Sequence, residues 1–473
     1  MTVNKFIGAC LLAAALNPLN AASEKKNILF LCVDDLRPEL HSFGVDYIKS
    51  PNIDKLVAAG RAFDRHFVNS PSCGPSRFTM LTGRYGTAGN DAIFKRAERL
   101  RENPESVPPT MPEWFRKEGY TTVAIGKISH HPGGLGGSDW NDPDQVEIPD
   151  AWDKNLMPTG AWKHPRGSMH GLANGEIRSK NRGTMDVFQT VEGPDSIYPD
   201  GLITDEALTQ LGQLAQQKEK PFFLAVGLIK PHLPFGAPKQ YMDLYTGVDL
   251  PPIPHPGKPA GKTTWHGSGE FMGQYNRWGK DPRTDSDFAT EVRRHYAACA
   301  TYADAQIGRI IDKLKETGAD QNTVIVLWGD HGWHLGEHSI WGKHALFEES
   351  LRSPLIIVDP AVIAPGTMSH SVVASIDIFP TLCDLTEIPK PDFLQGTSLL
   401  PQLKDPTAAG HAAVAYRGEA KTIRNATHRL TRHKSGEVEL YDHTSSAAET
   451  KNIATDQPEI VEAMSKELSK ILK

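Results

Sequence analysis

The chain reads as an α/β protein in which a mostly parallel central sheet is sandwiched by helices, followed by a smaller C-terminal α+β subdomain. Three observations predict this. Four continuous apolar runs, at 27–33, 121–125, 222–228 and 323–328, each stop abruptly at polar residues, as strands buried on both faces of a parallel sheet do. Segments of helical period separate them, at 51–60, 110–119, 204–217 and from about 285 to 318, and strands alternating with helices build βαβ units. A length of 473 residues exceeds the size at which a single core stops growing, so a second unit is expected.

Taken in order, the elements follow from local chemistry. Residues 1–22 carry one cation, Lys5, then an apolar run at 6–16 and a small-residue stretch ending Asn20-Ala21-Ala22. This is the pattern of a cleaved signal peptide. The run is shorter than the roughly 20 residues a spanning helix needs, so export to the periplasm or medium is expected, with no membrane span. The first strand ends at Asp34-Asp35, the second at Gly126-Lys127, the third runs into Lys230-Pro-His232, and the fourth into Gly329-Asp330-His331. Ligands of open parallel sheets sit outside the strands' carboxyl ends, so these residues are expected to converge. Residues 131–200 and 247–283 are rich in Gly, Pro, Trp and Asp with little periodicity, and loops of that length are expected to wall a pocket. After a helix at 375–385, Pro389-Lys-Pro391 marks a boundary. It divides a catalytic domain, 23–390, from a subdomain, 391–473, with strand-like runs at 412–416, 421–424 and 438–440 and a final helix at 458–472.

Composition narrows the function classes. A content of 39% hydrophobic and 23% charged residues excludes wholesale disorder and a multispan membrane protein. The net charge of −6 leaves no global basic field, which argues against a nucleic-acid partner and requires local clusters to draw any anionic ligand. Of five cysteines, Cys10 leaves with the signal, and Cys32, Cys299 and Cys383 lie in apolar patterns and read as buried. Their wide spacing is no disulfide framework.

Cys73 stands apart. Pro75, two residues on, suits the first turn of a helix running to Gly83. That sets Cys73 beside unpaired N–H groups at the positive end of the helix dipole, where an anion or a polarised nucleophile is favoured. Arg77 adds a permanent cation one turn on. Asp34 and Asp35, adjacent at a buried strand end, repel by about 4 kcal/mol at roughly 4 Å and an effective dielectric near 20; a bound cation relieves this. His331, His334 and His338 do not match the two-His helix motif with an intervening Glu, and Gly332 and Gly336 argue against a helix there. No zinc site is expected, and His334 and His338 read as pocket or loop residues.

These segments resemble the formylglycine-dependent (type I) sulfatases of the alkaline phosphatase superfamily. The maturation signature Cys-x-Pro-Ser-Arg stands as Cys73-Gly-Pro-Ser-Arg77, followed by Leu81-Thr-Gly-Arg84. Six further ordered segments match: Val33-Asp-Asp-Leu-Arg-Pro38, Ser50-Pro-Asn-Ile-Asp54, Gly126-Lys-Ile-Ser-His130, Lys230-Pro-His-Leu-Pro-Phe235, Asp330-His-Gly-Trp-His-Leu-Gly-Glu-His338 and Trp341-Gly-Lys343. Iduronate-2-sulfatase-like members are the most similar. The resemblance implies an alkaline-phosphatase-like sheet and hydrolysis of a sulfate ester on a sulfated oligo- or polysaccharide. It also implies conversion of Cys73 to Cα-formylglycine by a maturation enzyme, and a metal held by Asp34, Asp35, Cys73, Asp330 and His331. The carboxylate-rich donor set points to Ca²⁺ over Zn²⁺, although His331 is softer than the Asn many sulfatases carry.

By the same resemblance Arg77, Lys127 and Lys343 gather developing charge, His232 protonates the departing sugar oxygen, and His130 acts as base. His131 is a rival to His130, and the spacing from Lys127 favours His130. Looser expectations place Trp333, His334, Lys421 and Arg424 against substrate, the last two from a basic run continuing through Arg429, Arg432 and Lys434. Trp140, Trp152, Trp162, Trp265 and Trp278 are candidate sugar-stacking surfaces. The rival readings are a phosphoester or phosphonate hydrolase with the same oxyanion-binding layout, and a catalytically silent carbohydrate-binding protein, which needs a damaged site.

Overall fold

The four apolar runs become the middle of an eight-stranded sheet in the computed structural model, which describes residues 25–86, 89–134, 146–179, 181–360, 362–445 and 447–472. The expected signal segment and Trp140 lie outside the described residues. The strands are β1 (Asn27–Val33), β2 (Arg61–Phe63), β3 (Thr121–Gly126), β4 (Lys154–Leu156), β5 (Phe222–Leu228), β6 (Thr323–Gly329), β7 (Leu355–Val358) and β8 (Thr367–Ser369), in the spatial order β8-β2-β7-β6-β1-β5-β3-β4. All run parallel except β7, which is antiparallel to both neighbours. The four strands of three or four residues were not legible in the sequence, because so short a run carries no measurable period.

Side chains alternate across β1. Leu29, Leu31 and Val33 enter one core with α1 (Pro51–Ala59), α3 (Pro199–Leu214) and α4 (Ser286–Glu316). Ile28, Phe30 and Cys32 enter the other, with α2 (Cys73–Thr82) and α5 (Ile378–Leu385). A period of two on a sheet covered on both faces yields an unbroken apolar run. Each fully buried Leu, Ile, Val or Phe contributes about 1.5–3 kcal/mol, so the two cores rather than surface pairs hold the strand ends in place. Where α4 begins, the Asp285 carboxylate accepts a hydrogen bond from the Phe288 N–H at 2.9 Å, an N-cap.

Register brings the strand tips level. Val33 lies opposite both Leu228 and Gly329, and Gly126 opposite Gly227, so the next residues of β1, β3, β5 and β6 leave the sheet together. The close pass between β3 and β5 requires glycine: a Cβ at Gly227 would stand 2.0 Å from the Lys127 carbonyl oxygen, and Gly126 has φ +78°.

The C-terminal sheet is antiparallel: β9 (Ala413–Arg417), β10 (Ala420–Arg424), β11 (His428–Arg432) and β12 (Val438–Asp442), with α6 (Pro458–Ile471) packed on Ile423, Leu430 and Leu440 through Met464 and Leu468. β11 escaped the sequence reading because its alternation runs through His and Arg. Residues 391–404 still pack on the main body through Leu399 and Leu403. Cys32, Cys73, Cys299 and Cys383 are all buried and unpaired. No helix among the described residues is long and apolar enough to cross a membrane.

One buried carboxylate ties the C-terminal sheet to the body. Asp377 accepts from the N–H groups of Ala374 and Thr397, both at 2.8 Å, and from His411 Nε2 at 2.7 Å. Burial opposes a charge on His411, but the hydrogen bond and charge of Asp377 outweigh it and raise the ring from 6.5 to about 9. A raised folded-state pKa stabilises below the unfolded value and loses that contribution as pH rises through the folded one. The urea-midpoint gap between wild type and His411→Gln is therefore expected to be full at pH 6 and to close as the pH passes about 9. A gap that does not change with pH rules the pair out as a charged link.

Candidate active site

The level strand tips deliver three carboxylates and Lys127 into one buried cluster, which Arg77 joins from α2 and Lys343 from the residue after the short strand Trp341–Gly342. Asp34 and Asp35 turn away directly after β1, and Asp35 takes φ +58°, a left-handed conformation Asp tolerates better than most residues. Asp34 accepts a short hydrogen bond from Lys127 Nζ and lies 3.5 Å from Arg77 Nη2. Asp35 Oδ1 accepts from Lys343 Nζ at 2.7 Å. Asp330 receives Arg77 Nε at 2.9 Å on one oxygen and the Asp35 N–H at 2.9 Å on the other. Arg77, fully buried, also donates to the carbonyls of Lys127 and Ile128, so its fork is fixed by four acceptors.

Cys73 opens α2 at the centre of this cluster. Its Sγ is 3.2 Å from His331 Nε2 and 3.3 Å from Lys343 Nζ. His331 Nδ1 is 2.9 Å from the Gly332 carbonyl, which holds the proton there and turns the Nε2 lone pair toward Asp35 Oδ1, 3.2 Å away. A lone pair facing a carboxylate calls for a cation between them.

The electrostatics point the same way. Burial opposes ionisation of Asp34, but Lys127, with His232 and Arg77, holds its carboxyl well below the ordinary value. For Asp35 burial wins over Lys343 and His331 and pushes the carboxyl well above it. Adjacent carboxyls driven in opposite directions reflect uneven pairing within the cluster. Asp35 Oδ2 is buried with no hydrogen-bond partner, and donor atoms of Asp34, Cys73, Asp330 and His331 lie within 4.8 Å of one another. The residues therefore fit a metal ion: mostly carboxylate oxygen, one imidazole, and an orphaned oxygen.

Over Cys73 opens a cavity of about 1010 Å³, lined by Cys73, His130, His232 and Lys343 at its floor. The two long irregular segments do form its walls, through His164, Arg166, His170, Arg178 and Arg182 from the first and His266 and Glu270 from the second, and β9 adds Arg417. His130 faces this space, while His131 is absent from its lining and is buried. His130 Nδ1 has no hydrogen-bond partner; burial, then Lys127 and His131, push its ring well below 6.5. His232 Nδ1 is 2.6 Å from the Leu233 carbonyl, leaving Nε2 toward Glu270 at 3.8 Å. Burial, then Lys343, depress that ring too.

Several expected substrate contacts fall elsewhere. Trp333 is fully buried beneath Lys343, 5.4 Å from ring centroid to Nζ, and His334 is buried outside the cavity. Arg424 pairs with Glu348 at 3.2 Å, and Arg429 pairs with Glu348 and Glu449, both guanidinium groups lying over Phe67. These two arginines bolt the small sheet to the body. Lys421 borders a separate cleft with Arg84 and Glu419. The neighbour that does reach the cavity is Arg417, at the end of β9. The described tryptophans form local packing: Trp152 against Phe223, Trp162 with its indole N–H on the Leu172 carbonyl, Trp265 beside Phe347, and Trp278, 47% exposed, against Phe188. None lines the cavity. Arg166, Arg178, Arg182, Arg417 and Glu270 were missed, since arginines in aperiodic loops carry no spacing signal.

Comparison with known proteins follows the same outline. The family model described as sulfatase matches residues 26–388, and one described as N-sulphoglucosamine sulphohydrolase, C-terminal, matches 336–473. Iduronate 2-sulfatase of Mus musculus is 30% identical over 406 residues, covering 79% of this chain and 70% of the relative. A sulfatase of Formosa agariphila is 27% identical over 470 residues, covering 95% and 88%. Among solved structures, a protein in complex with its substrate D-glucosamine-2-N,6-O-disulfate superposes with TM-score 0.70 at 21% identity, covering 95% of this chain and 97% of that one. A phosphonate monoester hydrolase of Agrobacterium radiobacter superposes with TM-score 0.74 at 22% identity, covering 94% and 95%.

Arg77 neutralises two buried carboxylates, so Arg77→Met leaves Asp34 and Asp330 short of a partner. The expected loss is about 3–5 kcal/mol of unfolding free energy, read from urea midpoints in chelator-treated protein. A loss below about 1 kcal/mol, the range of exposed pairs, contradicts Arg77 as the buried partner of both carboxylates.

Proposed function

The chain belongs to the sulfatase family and is a sulfuric ester hydrolase, and from that premise we propose that it desulfates an anionic sulfated saccharide with a formylglycine made from Cys73. The observation that carries this reading is the place of Cys73, first residue of α2 and within 3.3 Å of both His331 Nε2 and Lys343 Nζ. As encoded the side chain is ill suited to attack. Burial and then the Asp34 charge push the thiol up to about 12, so it stays protonated and weakly nucleophilic near neutral pH. Oxidised by a maturation enzyme and hydrated, position 73 supplies one hydroxyl to displace the alcohol at sulfur and a second whose deprotonation releases sulfate.

A metal bound by Asp34, Asp35, Asp330 and His331 beside position 73 supplies positive charge to polarise that nucleophile, and the carboxylate-rich set favours Ca²⁺. The remaining work belongs to the chain. Lys127, Lys343 and Arg77 are already fixed by carboxylates or carbonyls, so no reorganisation is needed as charge builds on the sulfuryl oxygens. His232 is neutral before substrate binds. The charge of an entering sulfate ester opposes the depression caused by Lys343, favours a proton on Nε2, and so readies His232 to protonate the leaving oxygen. His130, a neutral ring with a free Nδ1 at the cavity floor, takes the proton whose removal ends the cycle.

Arg178, Arg182 and Arg417 line the cavity, and among its described lining residues Glu270 is the one carboxylate. That surplus suits a saccharide bearing a carboxylate or second sulfate besides the one removed. The two sugar-sulfate names among the relatives support the class, and the expected signal at 1–22 agrees with an exported enzyme acting on a polymer outside the cell. The phosphonate-hydrolase alternative rests on shared fold, and side-by-side rates on aryl sulfate and aryl phosphonate separate it.

Cys73→Ala is expected to abolish turnover with no loss of melting temperature, and the peptide spanning position 73 of the active enzyme to carry an aldehyde by mass spectrometry. Fully active protein with an intact thiol refutes the nucleophile. Arg178→Ala and Arg417→Ala are each expected to raise KM for an acidic sulfated oligosaccharide about tenfold or more, the worth of a charged hydrogen bond at about 1.5–3 kcal/mol, while kcat on a small aryl sulfate stays within about twofold. Equal KM across these proteins removes the arginines from substrate recognition.

A further inference from the structure

We propose a second metal site, for a zinc-class transition ion, formed by His334, His338 and Glu349 outside the catalytic cavity. His334 lies on the short strand His334–Leu335, held by pairing to Trp341–Gly342. His338 sits in the tight turn that follows, at φ +53°, and Glu349 is on the helix Glu348–Leu351. Side-chain exposures are 0% for His334, 1% for His338 and 17% for Glu349.

The atoms that meet are His334 Nε2, His338 Nε2 and Glu349 Oε2. Both nitrogens stand 3.5 Å from the same carboxylate oxygen, and all three atoms are buried without a hydrogen-bond partner. A charged imidazole–carboxylate hydrogen bond closes to about 2.7–2.9 Å; neither contact does so. A tetrahedral ion with bonds of about 2.0–2.1 Å separates its ligands by roughly 3.3–3.4 Å, close to the 3.5 Å of the two nitrogen–oxygen pairs, and all three atoms lie within 4.8 Å of one another.

Burial opposes a charge on His338, but Glu349 raises its ring above the ordinary value, so a metal here takes the place of a proton, and the surroundings position both rings for it. The Ser350 hydroxyl is 2.8 Å from His334 Nδ1, an outer contact that fixes the ring with Nε2 inward, as metal-bound histidines require. Phe347 stacks on His338 at 4.3 Å between ring centroids and holds that ring. Two imidazoles and one carboxylate form a borderline-soft set that selects zinc-class ions, in contrast to the oxygen-rich cluster at Cys73. Glu349 also borders a separate cavity of about 320 Å³ with Leu335 and Arg352, which provides a route for the ion and room for a fourth ligand from solvent. The left-handed turn at His338 brings together residues whose spacing alone fits no helical zinc motif.

The test uses the whole protein, stripped with chelator, saturated with Ca²⁺, loaded with Zn²⁺ and desalted. Wild type is expected to retain one zinc per chain by elemental analysis, His338→Gln and Glu349→Gln none, and all three the same calcium. Ser350→Ala is expected to retain zinc about 10- to 100-fold more weakly. Loading wild type with Co²⁺ is expected to give the intense visible bands of a tetrahedral ion, a readout that needs no variant to fold. Absence of both zinc and those bands in wild type, or equal zinc in wild type and the Glu349→Gln protein, overturns the site.

Discussion

Uneven pairing of buried charges at the strand tips governs this molecule. Asp34, Asp35 and Asp330 are buried together and face Arg77, Lys127 and Lys343, all with negligible exposure. The charges are equal in number but unevenly paired: Asp34 has both Lys127 and Arg77, whereas Asp35 has Lys343 on one oxygen. One oxygen of Asp35 is left with no partner, and its carboxyl is driven opposite to that of its neighbour Asp34. A buried charge without a partner costs several kcal/mol. The fold retains this arrangement because a cation, and then an anionic substrate, completes it.

Backbone register makes the arrangement available. Parallel strands paired level at Val33, Leu228 and Gly329 project their following residues from one edge, and two apolar cores hold that edge by burying alternate faces of β1. Neither core includes the charged residues. The energy that fixes the site is therefore supplied by side chains that never touch substrate, and the charged cluster sits on the scaffold as a local cost.

How much of this was legible in the sequence follows from the range over which each signal acts. β1, β5 and α4 could be read because burial on both faces, or a long amphipathic stretch, imposes a pattern over seven or more residues. Asp34, Cys73, Lys127 and Asp330 could be read because each directly follows such a pattern or opens a capped helix. Arg178 and Arg417 could not, since their approach depends on loop paths and on where β9 ends. Lys421 and Arg424 misled for a related reason: a basic run looks uniform in sequence, yet in a strand three positions apart fall on opposite faces. Arg424 turned inward to Glu348, while Lys421 turned away.

The same logic explains why the depressed histidines are consistent with acid–base work. Burial and lysine neighbours keep His130 and His232 uncharged, which avoids adding cations to a floor that carries Lys343 and lies near the buried Lys127 and Arg77. An imidazole protonated permanently beside those groups adds repulsion to every one of them. Letting the proton arrive with the substrate's own negative charge removes that cost, because the anion attracts the lysines and the proton together. In the proposed mechanism, protonation of His232 then becomes a consequence of correct binding. A neutral ligand entering the cavity, lacking the charge that supports the proton, leaves the acid unarmed.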